Sequence, residues 1–158
     1  MQRTRNPQPV TRNQKTMAKT LYIEIVAPDK RVFHGDARGL RAPGVKGSFE
    51  VLYNHAPMIA AIGVGPLYVT LPSGERITFA TSGGFLEVLS NIVTILAETV
   101  EPATGIDLER ARSAEERARQ HLQEAGDDVD RQRAEQALER ARNRARIAMG
   151  QVGAGQRA

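Results

Sequence analysis

From residue 20 to residue 103 apolar side chains recur at every second position, and Gly, Pro, Asn or Asp breaks the pattern at intervals of roughly eight to twelve residues. A period of two puts successive side chains on opposite faces, so this stretch predicts short antiparallel strands closed into a small β-sandwich or barrel. Leu21, Ile23 and Ile25 alternate with Tyr22 and Glu24, which assigns the first set to the core, and Pro28-Asp29-Lys30 then turns the chain. Residues 67–71 and 76–80 flank Pro72-Ser73-Gly74-Glu75, and residues 85–89 and 92–97 flank Ser90-Asn91, which predicts two hairpins.

Past Pro102 the period changes. Ala, Arg, Glu and Gln dominate, all strong helix formers. Thr104 with Asp107 makes a capping-box-like start, and Leu108, Ala111, Ala114, Ala118, Leu122 and Ala125 recur at helical steps. Gly126 ends this helix, Asp127 or Asp128 caps the next, and Ala134, Ala137, Leu138, Ala141, Ala145 and Ala148 form a matching stripe. The predicted fold class is an N-terminal all-β sandwich (residues 20–103) followed by a C-terminal antiparallel two-helix hairpin (104–149). A buried methyl group is worth only about 0.8 kcal/mol, so stripes made of alanine hold the hairpin weakly. Moving a two-state element from 1:99 to 99:1 takes about 5.5 kcal/mol of differential binding, a scale comparable with a few such small contacts, so opening by a partner is one expectation. The other reading of the same stripe is a permanently folded appendage.

At 158 residues the chain has room for one modest domain and an appendage. No apolar run approaches the roughly 20 residues of a membrane span, and the first residues lack a secretory h-region. Without cysteine, disulfides and thiolate chemistry are excluded. The net charge of +4 invites a nucleic-acid reading, but its location argues otherwise. Residues 1–19 carry Arg3, Arg5, Arg12, Lys15 and Lys19 with no acid, residues 20–104 are slightly acidic, and the hairpin is balanced. The excess sits in a polar arm (1–19) expected to be disordered, with a flexible tail (150–158) at the other end. Met17 offers an alternative start, and a mitochondrial presequence is a weaker option for want of amphipathic periodicity. All the aromatic side chains precede the hairpin, so its arginines have no stacking platform for bases and nucleic acid is disfavoured as a partner.

His34, His55 and His121 are the only histidines, and no pattern joins a nucleophile, a base and an orienting acid. The chain therefore reads as a non-enzyme. His55, in Asn54-His55-Ala56-Pro57, reads as a turn residue bonded to nearby backbone, and no metal site is assigned. Gly63-Val64-Gly65 and Gly83-Gly84 lack a phosphate-loop context and read as a bulge or tight turn. Glu135 and Glu139 have helical spacing to pair with some arginines of the second helix, whereas Arg133, Arg142 and Arg146 lack an acid four residues upstream. That leaves cationic surface for an acidic partner or a phosphate.

Three ordered motifs remain: residues 47–57 (GSFEVLYNHAP), 82–88 (SGGFLEV) and 106–111 (IDLERA). Together they resemble the epsilon subunit of the F-type ATP synthase, bacterial type, over about residues 20–148. The resemblance implies a flattened sandwich of about ten strands and a mobile hairpin. It implies a non-catalytic rotor-stalk role, linking the gamma subunit to the membrane c-ring during proton-driven ATP synthesis and restraining ATP hydrolysis. The loop Gly44, Val45, Lys46, Gly47 and Ser48 is similar to the ring-contacting part, although Lys46 stands where an acid is frequent and Tyr53-Asn54 where Pro-Gly is common. Some members bind ATP in the folded hairpin. The matching positions are Glu101, Ile106, Asp107, Arg110, Ala111, Arg117, Arg140 and Arg144. No cofactor is required, ATP being a regulatory ligand. The beta and alpha subunits are the implied partners of an extended, inhibitory form, and the implied location is peripheral, on the cytoplasmic face of the bacterial inner membrane. A free-standing ATP sensor built on the same hairpin is the alternative from another class.

Overall fold

The computed structural model describes residues 19–150, so the expectations for the basic arm and the tail fall outside the described residues except at Lys19 and Gly150. Eight strands come first: β1 (Leu21–Ala27), β2 (Lys30–Ala37), β3 (Gly39–Gly44), β4 (Gly47–Leu52), β5 (Met58–Thr70), β6 (Arg76–Leu89), β7 (Ile92–Ala97) and β8 (Val100–Pro102). A 3-10 turn at Ala103–Gly105 leads into helices α1 (Leu108–Glu124) and α2 (Asp128–Ala148). The strands pair in the order β2-β1-β7-β6-β5-β3-β4, with β8 on β6. Pairing is antiparallel except between β1 and β7, which corrects the purely antiparallel expectation. The long chain between those two strands makes a parallel neighbour geometrically accessible, which a short turn does not.

Two strands outrun the expected spacing: β5 has 13 residues and β6 has 14. Their ladder runs from Met58↔Val88 to Ile62↔Gly84, omits a Gly63–Gly83 pair, and resumes at Val64↔Ser82. The inward set changes parity there. Ile62 is buried on one side of the gap and Leu67 and Val69 on the other, while on β6 Phe79 gives way to Leu86 and Val88. Since strand side chains alternate strictly, this switch means that each ribbon bends and contributes to both layers of the sandwich. Counting the halves of β5 and β6 separately turns the eight strands into the ten implied by the resemblance. Gly83-Gly84 therefore lies inside a strand, not at a tight turn. A Cβ on Gly84 would stand 2.0 Å from the Leu96 carbonyl oxygen, and its φ of 141° is one that only glycine adopts readily.

One core fills the sandwich, from Leu21, Ile23 and Ile25 through Leu40, Val51, Leu67 and Val69 to Leu86, Val93 and Ile95, and among the described residues none from the two helices belongs to it. The two predicted β-hairpins are present, and the Ser90-Asn91 turn uses φ of 50° and 63°, the left-handed pair that a two-residue connection needs.

The helices form the predicted hairpin with two corrections. Thr104 does not cap α1, because the chain is still extended at Ile106; Asp107 caps it instead, accepting from Arg110 N at 3.1 Å. Asp127 caps α2, accepting from Asp130 N at 2.7 Å. Of the expected stripes, Ala111 and Ala118 of α1 and Ala134, Leu138, Ala141 and Ala145 of α2 are buried, Leu108, Ala114, Leu122, Ala125, Ala137 and Ala148 are half-buried, and Ile147, which the stripe omitted, is buried as well. Asn143 Nδ2 of α2 donates to the Gly65 carbonyl at 3.1 Å, and the Arg144 guanidinium pairs with Glu101 beside β6.

Candidate functional site

Where β8 runs out into the helical hairpin, the extended segment around Ile106 and the first turns of α1 wall a cleft that Arg144 of α2 borders from the other side. Glu101, Ile106, Asp107, Arg110, Ala111, Arg117 and Arg144 all line this space of about 640 Å³. Arg110 and Arg117 stand two turns apart on one face of α1, and Arg144 enters from α2 with its guanidinium on the Glu101 carboxylate. Three guanidinium groups thus line one cleft beside a capped helix N-terminus, together with the Glu101, Asp107 and Glu109 carboxylates, and a polyanion bound there has to compete with Glu101 for Arg144. Gly105, Glu109, Ser113 and Ala114 also line the cleft and were not picked out by sequence; Ser113 and Ala114 fill the helical turn between the two arginines.

Arg140 is not there. It lines an adjoining crevice with Thr81, Ser82 and Thr99, which Arg144 also borders, because one turn along α2 carries a side chain about 5.4 Å, enough to place Arg140 over the bend in β6.

The loop from Gly44 to Ser48 is the tight β3–β4 turn. Gly47 has φ of 127°, Val45 is 66% exposed at the tip, and its amide donates to the Ala61 carbonyl at 3.3 Å. Lys46 is exposed beside it.

A third feature escaped the sequence reading. On the outer side of the β1, β7, β6 and β5 layer, Tyr22, Ile92, Leu96, Leu89, Phe85 and Ile59 are all exposed, Ile59 at 74% and Phe85 at 61%. Cross-strand pairing makes them neighbours: Tyr22 lies opposite Ile92, Ile92 opposite Leu89, and Leu96 opposite Phe85. The signal was available in Ile92-Val93-Thr94-Ile95-Leu96, which is nearly apolar throughout rather than alternating and so describes a strand meant for cover on both faces.

Elsewhere the chemistry is quiet. His55 Nδ1 donates to the Ala56 carbonyl at 2.7 Å, the backbone bond expected of a turn histidine. Arg142 is not free as expected: its Nε meets Glu115 Oε1 of α1 at 3.3 Å. Glu135 and Glu139 make no ion pair among the described residues, since the pairs formed along helices lie in α1. Burial pushes the Tyr68 hydroxyl above its ordinary pKa, and Arg76 and Arg41 oppose the shift. Among the described residues no group of three potential ligands is placed to hold a metal, and no helix is long and apolar enough to cross a membrane.

Comparison with known proteins gives one answer along the chain. The family "ATP synthase, Delta/Epsilon chain, beta-sandwich domain" matches residues 20–103, and "ATP synthase, Delta/Epsilon chain, long alpha-helix domain" matches residues 105–149. An ATP synthase epsilon chain from Salinibacter ruber is 61% identical over 148 residues, covering 89% of this chain and 99% of its own length. One from Desulforamulus reducens is 43% identical over 132 residues, covering 84% and 99%. The fold is similar to a chain in the Euglena gracilis mitochondrial ATP synthase, with a TM-score of 0.72 at 23% identity, covering 89% of this chain and 88% of that one. The sandwich, the hairpin and these relatives together place the chain in the bacterial epsilon-subunit family of the F-type ATP synthase.

Proposed function

We propose that the chain is a non-catalytic central-stalk subunit that links the gamma subunit to the membrane c-ring during proton-driven ATP synthesis, and that its helical hairpin restrains ATP hydrolysis. The observation that carries this reading is a division of labour between the faces of one rigid core. One layer leaves a broad apolar face uncovered, and such faces mark protein docking sites. The gamma subunit is its partner. The β3–β4 turn, with Val45 and Lys46 outermost, is the ring-facing contact, which puts the protein on the cytoplasmic face of the inner membrane, peripherally.

The hairpin belongs to another regime. It contributes nothing to the sandwich core, and its polar ties to the sandwich are the Asn143 bond to Gly65 and the Arg144 pair with Glu101. Contacts on this scale are exchanged by binding energies of a few kcal/mol. ATP in the cleft holds the folded form, and its loss favours an extended hairpin whose arginines meet the beta and alpha subunits and block rotation. Because the core is independent of the hairpin, the test is direct. ATP hydrolysis by the assembled complex rises when residues 105–158 are removed; unchanged hydrolysis would dismiss the brake while leaving the docking role standing.

A further inference from the structure

The exposed apolar face has a charged centre. Across it, Glu24 lies opposite Thr94 and Thr94 opposite Glu87, a polar row flanked above and below by apolar side chains and ended by Ile59, which lies opposite Glu87. Glu24 is neutralised within the chain by Arg31, Nε to Oε1 at 2.7 Å. Glu87 is exposed, stands between Phe85 and Leu89 on its own strand, and has no basic partner at ion-pair distance among the described residues.

In the isolated chain this costs nothing, since water solvates the carboxylate. Any partner that covers the apolar side chains covers Glu87 too, and a buried charge without a counter-charge is strongly unfavourable. We infer that the partner seated on this face presents an arginine or lysine, set among apolar side chains, against the Glu87 carboxylate. This rests on the stalk-docking reading above and adds the chemistry of the contact. The same row argues against the other occupants of such a face. A lipid surface with anionic headgroups is repelled by Glu87, and a second copy of this chain docked face to face would bury a second uncompensated Glu87 carboxylate instead of supplying a cation.

The test measures the affinity of the full chain for the gamma subunit, with four variants. Glu87→Gln, which keeps the shape and removes the charge, is expected to weaken binding about 100-fold by stranding the partner's cation. Glu87→Lys weakens it further. Glu75→Gln, in the distant β5–β6 turn, leaves it unchanged. Phe85→Ser reports on the face itself. Binding unaffected by Glu87→Gln but lost with Phe85→Ser would overturn the cation and keep the docking face. Binding indifferent to both would overturn the docking face as well.

Discussion

Arg142 of α2 reaches across the hairpin to Glu115 of α1, Nε to Oε1 at 3.3 Å, and the same oxygen accepts from Arg119 Nη2 at 3.0 Å. Parting the helices therefore leaves Glu115 still paired along its own helix, and only Arg142 loses a partner. The pair is half exposed, so Glu115→Gln is expected to loosen the hairpin by only about 0.5–1 kcal/mol. Hydrogen exchange of the α2 amides would show this as faster opening, and raised ionic strength should reproduce part of the effect in the unsubstituted chain. Exchange identical in the two proteins would mean that the pair contributes nothing.

The cleft makes a graded prediction for nucleotide. Arg144→Ala and Arg117→Ala each remove a guanidinium that lines it and are expected to weaken ATP binding about tenfold or more in calorimetry. Arg131→Ala, on the exposed side of α2, should leave affinity unchanged. Arg140→Ala should behave like Arg131→Ala, because the side chain lies over the β6 bend. A loss at Arg140 equal to that at Arg144 would move the site.

Two glycines separate a steric role from a merely local one. Gly84→Ala drives a methyl group into the Leu96 backbone at a φ of 141° and is expected to destabilise the sandwich by about 3 kcal/mol or more. Gly126→Ala, in the interhelical loop with open space around it, should change stability by less than about 0.5 kcal/mol. Urea unfolding of the two variants decides the matter.

Tyr68 adds an alkaline component to the pH dependence of the sandwich. Burial raises its pKa in the folded chain, so below the ordinary value of 10.0 both states hold a neutral phenol and the full stability is present. Above that value the unfolded chain ionises first, and stability falls as pH climbs towards the folded pKa. Replacing Tyr68 by Phe should remove this component from the pH profile of unfolding. Arg76→Gln should raise the phenol pKa further, because Arg76 lies over the ring at 5.0 Å and opposes the shift.

Much of this was legible in the sequence because the signals were local. The alternation of Leu21, Ile23 and Ile25 against Tyr22 and Glu24 fixed one face of β1, and the alanine stripes fixed the helix faces. Thr104 misled because capping chemistry is judged by residue type, whereas an extended Ile106 delayed the helix to Leu108. The parallel β1–β7 pair and the long bent ribbons were out of reach, since they depend on partners distant along the chain. The same holds within the cleft. The motif from Ile106 to Ala111 gathers its own residues by helical spacing, but whether Arg140 or Arg144 faces them depends on how α2 crosses the sandwich.

The continuity of β5 and β6 through their glycine bends has a mechanical meaning. The layer that would grip a turning shaft and the layer beneath the helices are stitched together by two unbroken polypeptide ribbons. Torque applied to one layer is therefore carried to the other through covalent bonds, and the side-chain packing between them bears less shear. Such a body moves as one piece, and the helices join it through the short extended segment before Leu108.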